Sequence, residues 1–433
     1  MMRRFHTQFT EKNLTGNAGV TLVGRFAEKL NLSKILDKHI SIERAESAEY
    51  QPTEVIMMLT IAVLAGAKHI SHLAIIRTDE VVRSLFRWVK FPDDTTVSRI
   101  MKLFTHKHCQ ELTEAETEIR KKVWSKKWFG RATFDMDSSV KGVFGNQEGA
   151  VKGYNPKNKG QKSYHPLFCF IAETRECLNT WFRTGNAHSA NGSVEFMKEC
   201  FAMLPNRIWK VIVRADSAFF DGALLSFLEE QGAGYMIKVN LKGLTALLEK
   251  QVWHKMKNRP GYEQTEFMYK CAGWKKERRF VAVREVKVYE TKDSLFEDKI
   301  MTVEYKYFCY VTNMKHTPWG AHKFYGKRAT SENWIDWDKN QMAAGNILTN
   351  EFWANSAIFQ TCILAYNLLV WMMWLNDENG FREEPNTIRM FLIHAPARLM
   401  YSGRQWFLRL SENYFFKERW IWIENSILNL DFA

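Results

Sequence analysis

Apolar residues recur at helical spacing early in the chain, over residues 24–36 and 53–68. The second run carries Ile56, Met57, Leu59, Ile61, Val63 and Leu64, and both runs predict helices. Residues 92–104 open on Pro92-Asp-Asp-Thr-Thr and continue with Val97, Ile100, Met101 and Phe104 on one side, which predicts a capped helix. A plain bundle helix and the reading helix of a helix-turn-helix both fit that pattern. From Arg131 the period shortens to two, predicting strands at 131–137, 163–173 and 177–184. Residues 142–162, rich in Gly, Asn and Lys, predict a mobile basic hairpin or loop between the first two strands. A helix at 191–203, a strand at 209–215, a helix at 221–232 and a strand at 235–239 follow. The order β-β-β-α-β-α-β predicts a mixed sheet with helical cover. Short strands at 267–272, 279–288 and 304–312 predict a β-rich insertion over 241–323. A helix over 324–339 comes next, then a helical, aromatic tail from 341 with a basic segment at 398–409.

Charge changes this picture. A formal net charge of +13 makes a polyanion the expected partner, nucleic acid ahead of a membrane surface. The 433 residues, 46% hydrophobic and 25% charged, exclude general disorder and allow several domains. With 16 Trp, 14 Tyr and 30 Phe, the chain has aromatic mass for stacking bases as well as for cores. The 7 cysteines contain no Cys-x-x-Cys pair, which argues against a disulfide framework or zinc ribbon and points to a reducing cytoplasm. His106, His108 and Cys109 have no second pair at finger spacing, so no metal is expected there. The N-terminal Met-Met-Arg-Arg-Phe-His lacks the features of a secretory signal. The apolar run 357–375 approaches a membrane span in length, but it contains Gln360, Thr361 and Asn367, so a buried helix is expected and no membrane partner.

The predicted helix over 324–339 places Tyr325, Arg328, Glu332 and Lys339 at i, i+3, i+7 and i+14. At about 100° per residue these four fall within roughly 60° of one another, so one stripe carries a phenol, two cations and a carboxylate. Two further acids close strands: Asp137 before Ser138-Ser139, and Asp216 after Val211-Ile-Val-Arg-Ala215. Carboxylates on strand, strand and helix suit Mg²⁺, which takes oxygen ligands and uses few of them from protein. Asp135 rivals Asp137 on the same strand face, and Asp336 rivals Glu332 one turn on. Solvated charge pairs are the alternative for each acid taken singly.

Met136-Asp137-Ser-Ser, Arg214-Ala-Asp216-Ser and the spacing Tyr325-x2-Arg328-x3-Glu332-x6-Lys339 together resemble the signatures of DDE transposases of bacterial insertion sequences. The likeness is to the branch with a Tyr-Arg-Glu-Lys motif, the transposase DDE domain group 1 type. It covers residues 131–345, with Gly153-Tyr-Asn-Pro-Lys157 and Gly185-Asn-Ala-His188 as weaker marks, and reaches the flanking helices only in general layout. The resemblance implies an α/β fold: an RNase H-like mixed sheet with a β-rich insertion, flanked by helical N- and C-terminal regions.

The implied layout is a helical DNA-binding region over 1–125 and a catalytic core over 126–240 and 324–345, interrupted by the insertion at 241–323. A helical region at 346–433, with a role in dimerisation, completes it. Asp137, Asp216 and Glu332 are implied to bind Mg²⁺, for which Mn²⁺ substitutes, and Tyr325, Arg328 and Lys339 to hold DNA phosphates. The implied activity is two-metal cleavage at the element's ends and strand transfer to target DNA, with hairpin ends as one route. The implied partners are terminal inverted repeats, target DNA and a second copy of the chain in a synaptic complex. The implied location is a bacterial cytoplasm, on the nucleoid when bound. Trp274 and Trp319 are candidates for stacking a flipped base, and Lys152, Lys157, Lys159 and Lys162 for tracking backbone. An RNase H-like nuclease without strand transfer and a non-catalytic DNA-binding regulator are the competing readings.

Overall fold

The computed structural model describes residues 2–432 except 154, 156, 157, 189, 293–298, 347, 348 and 378–381, so Lys157 lies outside the described residues. The chain divides into two compact units. One comprises Met1–Trp128, Gly145–Gly149 and Asp336–Ala433; the other comprises Phe129–Phe144 and Ala150–Ile335. The helices at both ends of the chain therefore belong to one unit.

In chain order the first unit begins with α1 (Val20–Lys29), α2 (Leu32–His39), α3 (Pro52–Leu64), α4 (Asp94–Met101) and α5 (His106–Lys126). The second unit holds β1 (Arg131–Ser138), β2 (Leu167–Ile171), β3 (Cys177–Trp181), α6 (Ser193–Ala202), β4 (Lys210–Ala215), α7 (Gly222–Glu230) and β5 (Gly234–Lys238). It continues with β6 (His254–Lys255), β7 (Tyr262–Tyr269), β8 (Arg278–Lys292), β9 (Lys299–Thr312) and α8 (Pro318–Gly326). Then come α9 (Ala329–Asp336), which runs to the unit boundary, and α10 (Phe352–Asn376) and α11 (Lys417–Asn429) of the first unit.

The second unit is built on one nine-stranded sheet in the order β6-β7-β8-β9-β5-β4-β1-β2-β3. Within it β1 pairs antiparallel with β2, and β2 with β3, while β1–β4 and β4–β5 are parallel. The spatial order 3-2-1-4-5 with those senses is an RNase H-like core. Its central strands are buried on both faces, which is why 211–215 reads as a continuous apolar run rather than an alternation. The insertion does not form a sheet of its own. β9 pairs antiparallel with β5 and so takes the open edge of the core, extending one sheet.

Several local expectations change. The helix expected over 24–36 breaks at Asn31, whose φ of 58° is the left-handed conformation that Asn tolerates. The strand expected over 163–173 is two: Lys162–Tyr164 joins a small sheet with Lys141–Gly142 and Val151–Lys152, and β2 begins after Pro166, which has no N–H for a ladder. The tail is not wholly helical, because Ala397–Ser402 and Gln405–Leu410 form a hairpin. Gly403 and Arg404 turn it with φ of 56° and 61°, the twist that suits a two-residue hairpin.

Helix α10 has the length and hydropathy to cross a membrane, but 94% of its most apolar stretch is buried. It packs on α3 and α5, and two of its buried amides donate to side chains of α5. Asn367 donates to Glu116 at 2.7 Å and Gln360 to Thr113 at 3.2 Å.

Candidate active site

Strands β1 and β4 are parallel neighbours in register Met136↔Ala215, so Asp137 and Asp216 each follow that pair at the same end of the sheet. Asp216 caps the short turn Ser217–Phe219 by accepting the Ala218 N–H at 3.0 Å. Asp137 accepts the N–H of Ser138 at 2.8 Å. Asp216 ends β4 by capping that turn, whereas β1 runs one residue past Asp137 and pairs with β2 as far as Ser138↔Leu167.

Asp135 is wholly buried two residues back on β1. Its two oxygens accept Nε and Nη2 of Arg214, its register partner on β4, both at 2.7 Å. Arg214 also donates Nη1 to the Phe324 carbonyl at 2.9 Å and lies over the Phe324 ring at 5.0 Å. Burial pushes the Asp135 carboxyl up to about 6 against the pull of Arg214. The Asp135–Arg214 pair thus ties the sheet to the last turn of α8. Nothing in the motif spacing announces that tie.

The expected single helix over 324–339 is broken. α8 ends at Gly326, α9 starts at Ala329, and Trp337–Gln341 is a π-helical turn. Residues in that wider turn advance less than about 100° each, so the even stripe is lost before Lys339. Lys339, half-buried, belongs to the first compact unit, whereas Tyr325, Arg328 and Glu332 belong to the second. Asp336 closes α9 as an exposed residue bonded to Asn340 at 2.5 Å.

Arg328 is the centre of the group. It is 5% exposed; Nη2 stands 2.7 Å from Asp137, and Nη1 3.5 Å from Glu332. The Nη2 approach is off the hydrogen-bond axis, and neither Nη2 nor Nε makes a directional bond. Burial opposes the charge of Arg328, yet Asp137, Tyr325, Asp216 and Asp135 hold its affinity for the proton above the usual range. Burial pushes Asp137 up to about 6, and Asp216 and Glu332 repel its charge, while Arg328 and the Ser138 N–H oppose the rise. Tyr325 packs on Tyr310 with ring centres 4.5 Å apart, and burial pushes its phenol up to about 12. Asp137, Asp216, Tyr325, Arg328 and Glu332 are therefore within electrostatic reach of one another.

The weaker motifs have a packing role. A Cβ on Gly153 would meet the Gly185 carbonyl at 1.9 Å, so these two backbones touch and only glycine fits. His165, which no motif flagged, takes the Ala187 carbonyl at Nδ1 (2.7 Å) and reaches the Ser138 hydroxyl at Nε2 (3.2 Å), beside Asp137. Trp274 lies under the Arg278 guanidinium at 4.7 Å, and Trp319 lies between Arg259 and Lys323; both are half-buried. Lys152 and Lys159 are exposed and Lys162 is half-buried. His108 caps α5 through the Thr105 N–H, and His106 stacks on Trp353 at 4.8 Å.

The family model of the transposase DDE domain, group 1, matches residues 2–431. The chain belongs to this family. No curated protein matches it. Among solved structures, a piggyBac transposase synaptic complex with hairpin DNA aligns at 11% identity over 95% of this chain and 84% of that one, with a TM-score of 0.41. A Mos1 transposase paired-end complex with the left transposon end aligns at 12% identity over 45% and 60%, with a TM-score of 0.18.

DDE transposases generally depend on divalent metal. In this family member no three His, Cys, Asp or Glu side chains among the described residues are gathered into a metal cage. The Arg328 guanidinium lies between Asp137 and Glu332. The donor chemistry still fits a hard cation, since all three acids offer oxygen and burial, with Asp216 and Glu332 nearby, raises the Asp137 carboxyl in spite of Arg328.

Proposed function

We propose that this chain is a DNA transposase in which Asp137, Asp216 and Glu332 hold Mg²⁺ or Mn²⁺ and cut and join DNA strands. The observation that carries the reading is the convergence of these acids, from β1, β4 and α9, around the buried guanidinium of Arg328. Such ions, when bound, activate an attacking oxygen and stabilise the leaving one at phosphorus. Water attacks a phosphodiester at the element's end, the bridging 3′ oxygen leaves, and the freed 3′-hydroxyl then attacks a second phosphodiester. Attack on the opposite strand gives a hairpin end, and attack on target DNA gives insertion.

The residues of the chain orient this chemistry. The parallel register of β1 and β4 sets two carboxylates side by side, and the Arg214 tie to Phe324 holds the turn carrying Tyr325 and Arg328. Tyr325 stays a neutral phenol and donates to a phosphate oxygen. Lys339 supplies a second phosphate contact. Two copies hold two ends in the synaptic complex, with the helices of 346–433 as the contact.

The test is an end-cleavage assay on DNA flanking the gene, with Mg²⁺ and with chelator, followed by pre-cut ends and a target plasmid. Metal-dependent nicking and joined products are expected. Nicking without joining would reassign the chain to the nucleases, and neither product would leave a binding regulator. Lys339→Ala is expected to reduce the slope of log affinity against log salt by about one. An unchanged slope removes Lys339 from the backbone contacts. Arg328→Gln is expected to lower the melting temperature without metal and to tighten Mn²⁺ binding at least about threefold, because Asp137 and Glu332 lose the cation that lies against them. Equal Mn²⁺ affinity in an EPR titration would place the guanidinium outside the metal's position.

A further inference from the structure

The hairpin of the tail takes no part in the site above. Its register pairs Arg398↔Arg409, Leu399↔Leu408, Met400↔Phe407, Tyr401↔Trp406 and Ser402↔Gln405. Partners share a face and successive pairs alternate. Leu399 and Leu408 thus share a face with Tyr401 and Trp406, and Arg398 and Arg409 share the other with Phe407.

One end of the ribbon is anchored: Ala397 and Leu399 are buried, and Leu14–Thr15 pairs with Ala397 and Arg398. The other end stands in solvent. Tyr401 is 59% and Trp406 61% exposed, with ring centres 4.8 Å apart. Aromatic area of that kind at the tip of a ribbon gains from a partner.

Charge says which partner. Residues 397–410 contain Arg398, Arg404 and Arg409 and no acid. Arg398 and Arg409 face each other directly, and like charges so placed weaken a strand pair. Glu11 answers Arg398, whereas Arg404 and Arg409 have no ion pair among the described residues. A second copy docking here about a two-fold axis would set arginines against arginines. A polyanion removes the repulsion, and a two-stranded ribbon has the width that a DNA major groove admits.

We propose that this hairpin is a β-ribbon that docks double-stranded DNA, with Tyr401 and Trp406 in the groove and Arg404 and Arg409 on phosphates. The inference rests on the reading of the chain as a DNA-acting enzyme. It adds a contact surface outside the acidic site.

The test uses the full chain and a fluorescent duplex spanning the element's end, with anisotropy read across a KCl series. Arg404→Asn with Arg409→Gln keeps a residue that tolerates the left-handed turn. This pair of changes is expected to flatten the log–log salt slope by about two and to weaken binding at least about tenfold. Trp406→Ala is expected to weaken binding with the slope unchanged. Melting temperatures close to the parent's verify the fold. Parental slope and affinity in the double variant overturn the proposal while leaving the transposase reading intact. Failure of the parent itself to bind the duplex overturns both. If the double variant binds the duplex normally but loses phosphatidylserine vesicles or self-association, the ribbon belongs to a membrane or to a second copy.

Discussion

Asp137→Asn is expected to reduce metal-dependent cleavage at the element's ends on the order of a thousandfold, while duplex binding and melting temperature hold. The magnitude is that of removing one group that stabilises charge in the transition state. Asparagine has the same shape and keeps an oxygen for the Ser138 N–H, so the end of β1 is undisturbed. The negative charge that faces Arg328 at 2.7 Å and sits beside Asp216 and Glu332 is lost. Burial disfavours the Asp137 charge more than Arg328 favours it, and Asp216 and Glu332 add to the cost, which is why stability is not expected to fall when it is neutralised. Asp216→Asn and Glu332→Gln are expected to act in the same direction. Cleavage by Asp137→Asn within a few-fold of the parent would remove this residue from the chemistry.

Arg214→Met is expected to cost about 3–5 kcal/mol of stability, the range for breaking a buried ion pair from one side. It leaves the fully buried Asp135 without its two 2.7 Å donors and the Phe324 carbonyl without its own. The sign with pH follows from Asp135, whose carboxyl is pushed up to about 6 in the folded chain and lies near 3.9 when unfolded. Its ionisation in the core therefore opposes folding as pH rises through that interval, and without Arg214 it opposes folding more. The deficit of the variant is expected to be largest near pH 8 and to shrink toward pH 5, where a protonated Asp135 carries no charge. Urea unfolding at the two pH values measures it. A loss under about 1 kcal/mol, or a deficit that grows on acidification, would mean that Asp135 is not an unpaired buried charge in the variant. Converting both partners, Asp135→Leu with Arg214→Met, is expected to recover part of the loss.

The elements of the core sheet were legible because strand patterning is local. Val211-Ile-Val announces a strand buried on both sides, and Asp137 and Asp216 mark where two strands stop. The hairpin at 397–410 was not legible, because Tyr, Trp and Phe at those spacings suit a helix as well, and the decision lay in a two-residue left-handed turn. The break between α8 and α9 and the π turn after α9 escaped for a similar reason: the motif spacing counts residues and carries no record of where a helix stops or widens.

The sequence by itself determined the family, the chain's excess of positive charge, the strands that end in acids and the mixed α/β class, all of which depend on residue type and near neighbours. Only the tertiary structure decided that β1 and β4 lie side by side in parallel, that Asp135 is spent on Arg214, and that Arg328 is buried among the acids. It also decided that the two ends of the chain share one unit and that the insertion extends the core sheet. Pairing across long intervals of sequence is chosen by which edges and faces remain open after local structure has formed, and no local pattern encodes that choice.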